Sequence, residues 1–484
     1  MSRFSDLLLQ AIQGNKIRYS TLSEMTGIER TLIHRLANGS RIPSGKEMVL
    51  NLANVLQLNP DETDKILQAF YISKMGEEVW ERRQLAKNFI RSFTRKPVSE
   101  YRSDGTITIS ESKHEAIPET GMVREENAVR QLLDFILLSA SREENGNIFI
   151  LAQPEFEILY DSLVRVDFSA NHTKIEQIMC FQSPQNAKEL ESDRYNFNCL
   201  NAMIPVMISC THYACYSYFD NVGSLFNFSS FLPYTILTDK YVLQVSASCD
   251  SAYFSEDPEY ISYWKEIFLK KKQFSNPVFG RLLGLEGYLQ SIVNAADEKC
   301  SCIYAVMGQP CIGDVLTPDI IGQFTYPHYL ADEKIRSLLE LMAVKKASVT
   351  GKSYWCYPEE GFGKFVESGR VSEIPSESYA PLEKDASIEM LRNVRKLLDL
   401  EKYNLFLSNS ERFRIPSKLT ICGLSPMSVY VSYNDEKSGF SVFNISEIGL
   451  SGIIYDFLEY TFKSDLVFSD EISKEKLDKF LSQY

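Results

Sequence analysis

Residues 19–43 leave room for little besides two short helices joined by a tight turn. Leu22 faces the core from a helix over about Ser20–Met25. Gly27 follows it, where any side chain would be forced into a left-handed conformation costing roughly 1–2 kcal/mol. Ile33 and Leu36 stand three apart and dock the next helix, Glu29–Ala37, against the same core. Asn38-Gly39 ends that helix, and the loop to Pro43 can reach outward.

The surrounding residues continue the pattern. Leu7, Leu8 and Ile12 share one face of a helix over Arg3–Gln13, which Gly14-Asn15 stops. A fourth helix opens after Pro43-Ser44-Gly45, and a fifth after Asn59, with Pro60 at the favoured first helical position. Residues 3–72 are thus expected to form five short helices.

The third helix keeps a polar outer side: Glu29, Arg30, Thr31, His34 and Arg35. The major groove of DNA is wide enough to admit one helix, and its base edges are distinct. Arginine can pair with the two acceptors of guanine, and threonine can meet the thymine methyl group. Tyr19, Ser20, Asn38, Ser40 and Arg41 lie where backbone contacts are expected. Phosphate contacts set register; base contacts set sequence preference.

Charge agrees with this division. The whole chain carries −13 at pH 7. Residues 1–45 hold Arg3, Lys16, Arg18, Arg30, Arg35 and Arg41 against Asp6, Glu24 and Glu29, a basic head on an acidic body. Such a body repels DNA everywhere except at the head.

Residues 3–72 resemble the Cro/repressor-like helix-turn-helix family, also called the XRE family. The match runs through Leu22, Gly27, Ile33, Arg35-Leu36 and Asn38-Gly39 to Pro43. The resemblance implies a five-helix domain that binds operator DNA, usually as a dimer. It places Tyr19 at the opening of the second helix, and Arg30, Thr31 and Arg35 at base-reading positions. Tyr19 departs from the family, in which glutamine is frequent at that position.

A chain of 484 residues exceeds one core, and size scaling suggests about three or four domains. The expected divisions are 1–75, the helix-turn-helix domain; 76–121, an amphipathic helix and linker; 122–275, a first α/β unit; and 276–484, a second. In the second division, Trp80, Leu85, Ala86, Phe89, Ile90 and Phe93 recur at helical spacing over 77–95. Lys96–Gly121 is polar and irregular, as a linker would be.

From residue 122 helices alternate with strands. Helices are expected at Val123–Ser141, Phe156–Val166, Tyr195–Ser209 and Pro258–Leu269. Strands are expected at Ile148–Leu151, Ile175–Phe181 and Ala214–Tyr218, with a hairpin at Tyr234–Leu237 and Tyr241–Ser246. The order recurs from a helix at Val278–Val293 through a strand at Ile303–Val306, helices near Pro318–Phe324, Ala331–Val344 and Ser387–Leu398, and strands at Tyr403–Leu407 and Leu419–Cys422. A hairpin at Ser428–Tyr433 and Gly439–Phe443 and a helix at Ile448–Phe462 close it. The two hairpin-plus-helix endings are alike, Thr235–Leu237 answering Val429–Val431. The fold class is therefore multidomain: an all-α five-helix head followed by a duplicated α/β region with mixed sheets.

No phosphate-binding GxxxxGK, GxGxxG, GxSxG or HExxH motif occurs. His172-Thr173-Lys174 together with the duplicated layout resembles the phospholipase D-like fold. That family needs an HxK in each half with Asp five residues after the Lys; here Met179 stands at that position in the first half, and the second half has no HxK. No enzymatic activity and no cofactor are expected. Met203, Met207, Cys199 and Cys210 read as core packing. The aromatics Tyr213, Tyr216, Tyr218, Phe219, Phe226, Phe228, Phe231 and Tyr234 read as core or, secondarily, as the lining of a pocket. Glu359–Phe362 reads as a turn into a helix running to Ser368-Gly369.

The ten cysteines include no CxxC pair, as suits reduced thiols; Cys300 and Cys302 stand two apart with no second pair to complete a zinc site. No apolar run reaches the roughly 18 residues a bilayer span needs, and Met1–Asp6 lacks a signal-peptide core. A cytoplasmic protein without a membrane partner is expected. The partners expected are double-stranded DNA, a second copy of the chain, and a small-molecule or peptide effector. The resulting reading is a sequence-specific, effector-responsive transcriptional regulator. A DNA-associated phosphodiesterase- or nuclease-like enzyme and a protein-interaction scaffold are the alternatives.

Overall fold

In a computed structural model of the chain, residues 2–93, 120–168, 170–185, 188–226, 231–298, 301–316, 320, 323–348, 351–435 and 439–484 are described. The linker expected over Lys96–Gly121 lies almost wholly outside the described residues, as do His114, Phe228, Cys300 and part of the helix expected at Pro318–Phe324. The chain divides into two compact units, Met1–Leu85 and Ala86–Tyr484.

The first unit is helical: α1 (Arg3–Gly14), α2 (Tyr19–Thr26), α3 (Arg30–Ala37), α4 (Lys46–Val55), α5 (Pro60–Met75) and the first half of α6 (Glu77–Ser92). Local chemistry sets the helix ends. The Ser2 hydroxyl accepts from the Ser5 N–H at 3.2 Å and opens α1. At α5, Asn59 accepts from the Glu62 N–H while Glu62 accepts from the Asn59 N–H, both at 2.9 Å, a reciprocal capping box. Phe4, Leu8, Leu22, Ile33, Leu36, Leu52, Ile66 and Phe70 form one buried core. Each such side chain contributes roughly 1.5–3 kcal/mol by leaving water.

The second unit holds two mixed sheets. In the first run β1 (Gly121–Arg124), α7 (Glu126–Ser141), β2 (Asn147–Leu151), α8 (Glu157–Arg165), β3 (Lys174–Gln182), α9 (Glu189–Ser209), β4 (Tyr213–Asp220), β5 (Tyr234–Thr238), β6 (Val242–Val245), β7 (Ser251–Ser255) and α10 (Pro258–Gln273). The short β8 (Asn276–Pro277) and β9 (Phe279–Leu283) lead into the second: α11 (Gly284–Asp297), β10 (Cys302–Met307), α12 (Pro327–Leu330), α13 (Glu333–Ser348), β11 (Lys352–Tyr357), α14 (Glu360–Ser368), α15 (Lys384–Leu397), β12 (Tyr403–Leu407), β13 (Leu419–Ser425), β14 (Ser428–Asp435), β15 (Gly439–Ile445), α16 (Ile448–Thr461) and α17 (Asp470–Leu481).

The sheet orders are β1-β7-β6-β5-β2-β3-β4-β8 and β12-β11-β10-β13-β14-β15-β9. Read from β9, the seven strands of the second sheet repeat β1-β7-β6-β5-β2-β3-β4 of the first in order, and the short edge strand β8 has no counterpart among the described residues. In each, three parallel strands are followed by an antiparallel meander, and the edge is closed by the strand that precedes the repeat. The duplication is thus a property of the topology. The inner strands are buried on both faces, which explains their near-continuous apolar runs.

Several sequence expectations need correction. Val123 and Arg124 belong to β1, paired with Ala252 and Ser251, and not to a helix; α7 starts only after Glu125, whose φ of 81° breaks the strand. Residues 279–283 likewise form β9 and not a helix, and Gly284, at φ 59°, makes the turn into α11. The strand β7 was not foreseen, so the expected match of β5 with β14 is displaced by one: β5 answers β13, and β14 answers β6. Neither β11 nor α17 was foreseen.

The two halves of this unit are joined through main chain. Val278 is buried; its N–H donates to the Cys215 carbonyl at 3.0 Å, and its carbonyl accepts from Ser446 at 2.9 Å. Arg281 adds side-chain bonds to the Cys210 carbonyl (2.6 Å), the Thr211 carbonyl (3.1 Å) and the Ser441 hydroxyl (2.9 Å).

Candidate nucleic-acid interface

The turn between α2 and α3 is held by short-range bonds. Gly27 sits at φ 72° and donates its N–H to the Ser23 carbonyl at 2.9 Å. The Ser23 hydroxyl donates to the Ile28 carbonyl at 2.6 Å, and Thr26 donates back to the Leu22 carbonyl at 2.7 Å. Asn51 on α4 clamps the turn by donating to the Thr26 carbonyl at 2.8 Å. The angle between the two helices is therefore fixed before any ligand arrives.

Helix α3 is divided along its length. Ile33 and Leu36 are fully buried, and Ala37 nearly so. Arg30, Thr31, His34 and Arg35 are exposed on the opposite side. The Thr31 hydroxyl donates to the Glu29 carboxylate. Tyr19, half-buried, sets its ring 5.6 Å from that of His34. No carboxylate among the described residues pairs with Arg30 or Arg35.

Beyond α3 the loop is ordered by its own polar groups. Asn38 accepts from the Ser40 N–H at 3.0 Å and from its hydroxyl at 2.6 Å. The Arg41 N–H donates to the Arg35 carbonyl at 3.1 Å. Ser20, Asn38, Ser40 and Arg41 are exposed. All nine residues singled out in the sequence thus lie on or beside α2, α3 and the loop after α3.

The other sequence candidates scatter. Tyr213 and Tyr234 are core residues: Tyr213 donates to Gln177 at 2.8 Å, and Tyr234 stacks on Phe156 at 4.8 Å. Phe219 and Phe231 are 47% and 80% exposed, apart from these core rings. Met203, Met207, Cys199 and Cys210 are buried. His172, at φ 54°, lies in the turn before β3 with its ring 5.8 Å from that of His212. Among the described residues no group of three or more His, Cys, Asp or Glu side chains is placed to hold a metal, and no helix is long and apolar enough to cross a membrane.

Burial first, then the neighbours His172, Arg281 and Lys174, lower the pKa of the His212 imidazole from its ordinary value. The fold therefore binds that proton less readily than the open chain. Stability is retained above the unfolded value of about 6.5 and falls as pH drops below it. His212→Gln is expected to flatten the decline in melting temperature between about pH 7.5 and 5.5. Equal declines in the two proteins would assign the acid sensitivity to other groups.

Sequence reading missed one cavity. About 500 Å³ lies beyond the carboxyl ends of β11 and β12, lined by Pro358, Glu360, Lys364, Ser408, Ser410, Arg414, Ser417, Lys418 and the rings of Phe93 and Tyr433. Its walls come from segments as distant as 93 and 433, and β11 itself went unread, so no local motif marks it.

No family model matches the chain, including the family suggested by residues 3–72, and no curated protein matches it. Several solved structures do. TrmBL2, an archaeal chromatin protein reported to show a novel mode of DNA binding, is 11% identical over 48% of this chain and 88% of its own, with a TM-score of 0.22. Phosphatidylserine synthase of Haemophilus influenzae Rd KW20 is 10% identical over 80% and 97%, with a TM-score of 0.22. Polyphosphate kinase of Porphyromonas gingivalis is 9% identical over 75% and 55%, with a TM-score of 0.21. Two of these structures are enzymes, which corrects the expectation that the chain has no enzymatic activity. At such scores the likeness assigns the chain no activity of its own. These structures, a DNA-binding protein and two enzymes, are what the chain is similar to.

Proposed function

We propose that the chain is a sequence-specific DNA-binding transcriptional regulator whose α3 enters the major groove. Arg30, Thr31 and Arg35 read base edges, with His34 beside them. Tyr19, Ser20, Asn38, Ser40 and Arg41 hold the phosphate backbone. The observation that carries this reading is the division of α3: one side is locked into the core by Ile33 and Leu36, and the other presents four polar side chains to solvent. A helix braced in this way loses little further freedom on docking, and the basic head draws the polyanion to that side.

One reading helix covers a half-site, so the working form is a homodimer on two half-sites about 34–36 Å apart or a multiple of that spacing. The large second unit supplies the dimer interface or the effector site. Selection of bound duplexes from a random library by full-length protein tests the reading. Enrichment of one pseudo-palindromic sequence is the expected result. Weak, salt-sensitive binding shared by every sequence overturns it.

A further inference from the structure

The strand-end cavity of the second sheet is built like a binding site. Its place follows from the topology. The chain leaves β12, crosses back over the ends of β11 and β10, and starts β13 beside β10. In open α/β sheets, ligands bind outside the carboxyl ends of the strands, where the winding reverses. The crossing is close: a Cβ on Gly308, just past β10, would lie 2.4 Å from the Ser417 carbonyl group. Only glycine lets the loop pass there, which holds the Pro416-Ser417 segment of the cavity wall close against the end of β10.

Its chemistry is that of an anion site. Lys364, Arg414 and Lys418 line it together with a single carboxylate, Glu360, so its walls carry a net charge of +2. Ser408 supplies the second observation. It lines the cavity, is only 4% exposed, and its hydroxyl finds no partner among the described residues. A buried hydroxyl left without a partner is destabilising, and a bound acceptor within its reach would recover that loss. The rings of Phe93 and Tyr433, 5.9 Å apart, add an apolar wall.

We infer that this cavity binds a small organic phosphate, with Lys364, Arg414 and Lys418 around the phosphate group, Ser408 donating to it, and the organic body against Phe93 and Tyr433. A phosphate monoester carries about −1.5 to −2 at neutral pH, which matches the walls. A volume of about 500 Å³ suits a ligand the size of a sugar phosphate.

The test is calorimetric titration of full-length protein at constant ionic strength with inorganic phosphate, ribose 5-phosphate and ribose. Both phosphates are expected to saturate and ribose to give no binding. Arg414→Gln and Lys364→Gln, both at exposed positions, should each weaken phosphate binding at least about tenfold, the loss expected for a charged hydrogen bond. Lys270→Gln, on a distant helix and 67% exposed, should leave it unchanged. No saturation with either phosphate, or equal affinity in Arg414→Gln, Lys364→Gln and the parent, overturns the proposal. The titration contains no duplex, so its failure leaves the reading of α3 standing, and the reverse also holds.

Discussion

Full-length protein carrying Arg30→Ala and Arg35→Ala together is expected to lose at least about thirtyfold in affinity for its selected duplex. A bidentate arginine–guanine contact discriminates by about 1–3 kcal/mol, and each 1.4 kcal/mol is tenfold. Both side chains are exposed and Ile33 and Leu36 keep the helix docked, so circular dichroism should not change. Arg41→Ala should act differently, weakening all duplexes alike and lowering the salt slope by about 1. Competition gel shifts with selected and scrambled duplexes separate the two patterns. Full affinity in the double variant would remove α3 from the interface.

The largest stability effect is expected at Phe89. The boundary between the two units falls inside α6, between Leu85 and Ala86. Before it, Trp80 stacks on Tyr71 at 5.6 Å, within the first unit. After it, Phe89 is fully buried, 6.3 Å from Phe197 and 5.4 Å from Phe93, within the second. Phe89→Ala should cost the second unit about 3–5 kcal/mol, a large share of the roughly 5–15 kcal/mol that holds a domain folded. The first unit, with its own core from Phe4 to Phe70, should melt as before. Differential scanning calorimetry would show the larger transition moving down and the smaller one staying in place. A shift of the smaller transition instead would assign Phe89 to the head.

How much of this was legible in the sequence depended on how local the signal was. The head was read almost to the residue, because Gly27, Asn59-Pro60 and the spacing of Ile33 and Leu36 each act within one or two turns. The candidate interface came with it, since all nine residues fall between 19 and 41. Edge strands were lost. Val123-Arg124 and Phe279–Leu283 carry enough apolar residues to pass as helix, and only their partners β7 and β15 make them strands. The aromatic segment Ser353–Tyr357 was overlooked although it forms the middle parallel strand of its sheet. The strand-end cavity was illegible for the same reason: Lys364, Ser408 and Lys418 meet only through a crossover that no window of sequence contains.

The bonding at Val278 limits how the second unit can respond to anything it holds. One residue is stitched to both sheets, and Arg281 beside it fastens three oxygens drawn from both. Swinging the lobes apart like a clamshell would strand these groups in the interior at roughly 1–3 kcal/mol apiece. Among the described residues these bonds oppose a hinge at that seam, so a response in this unit is expected in the loops at the rims of the sheets.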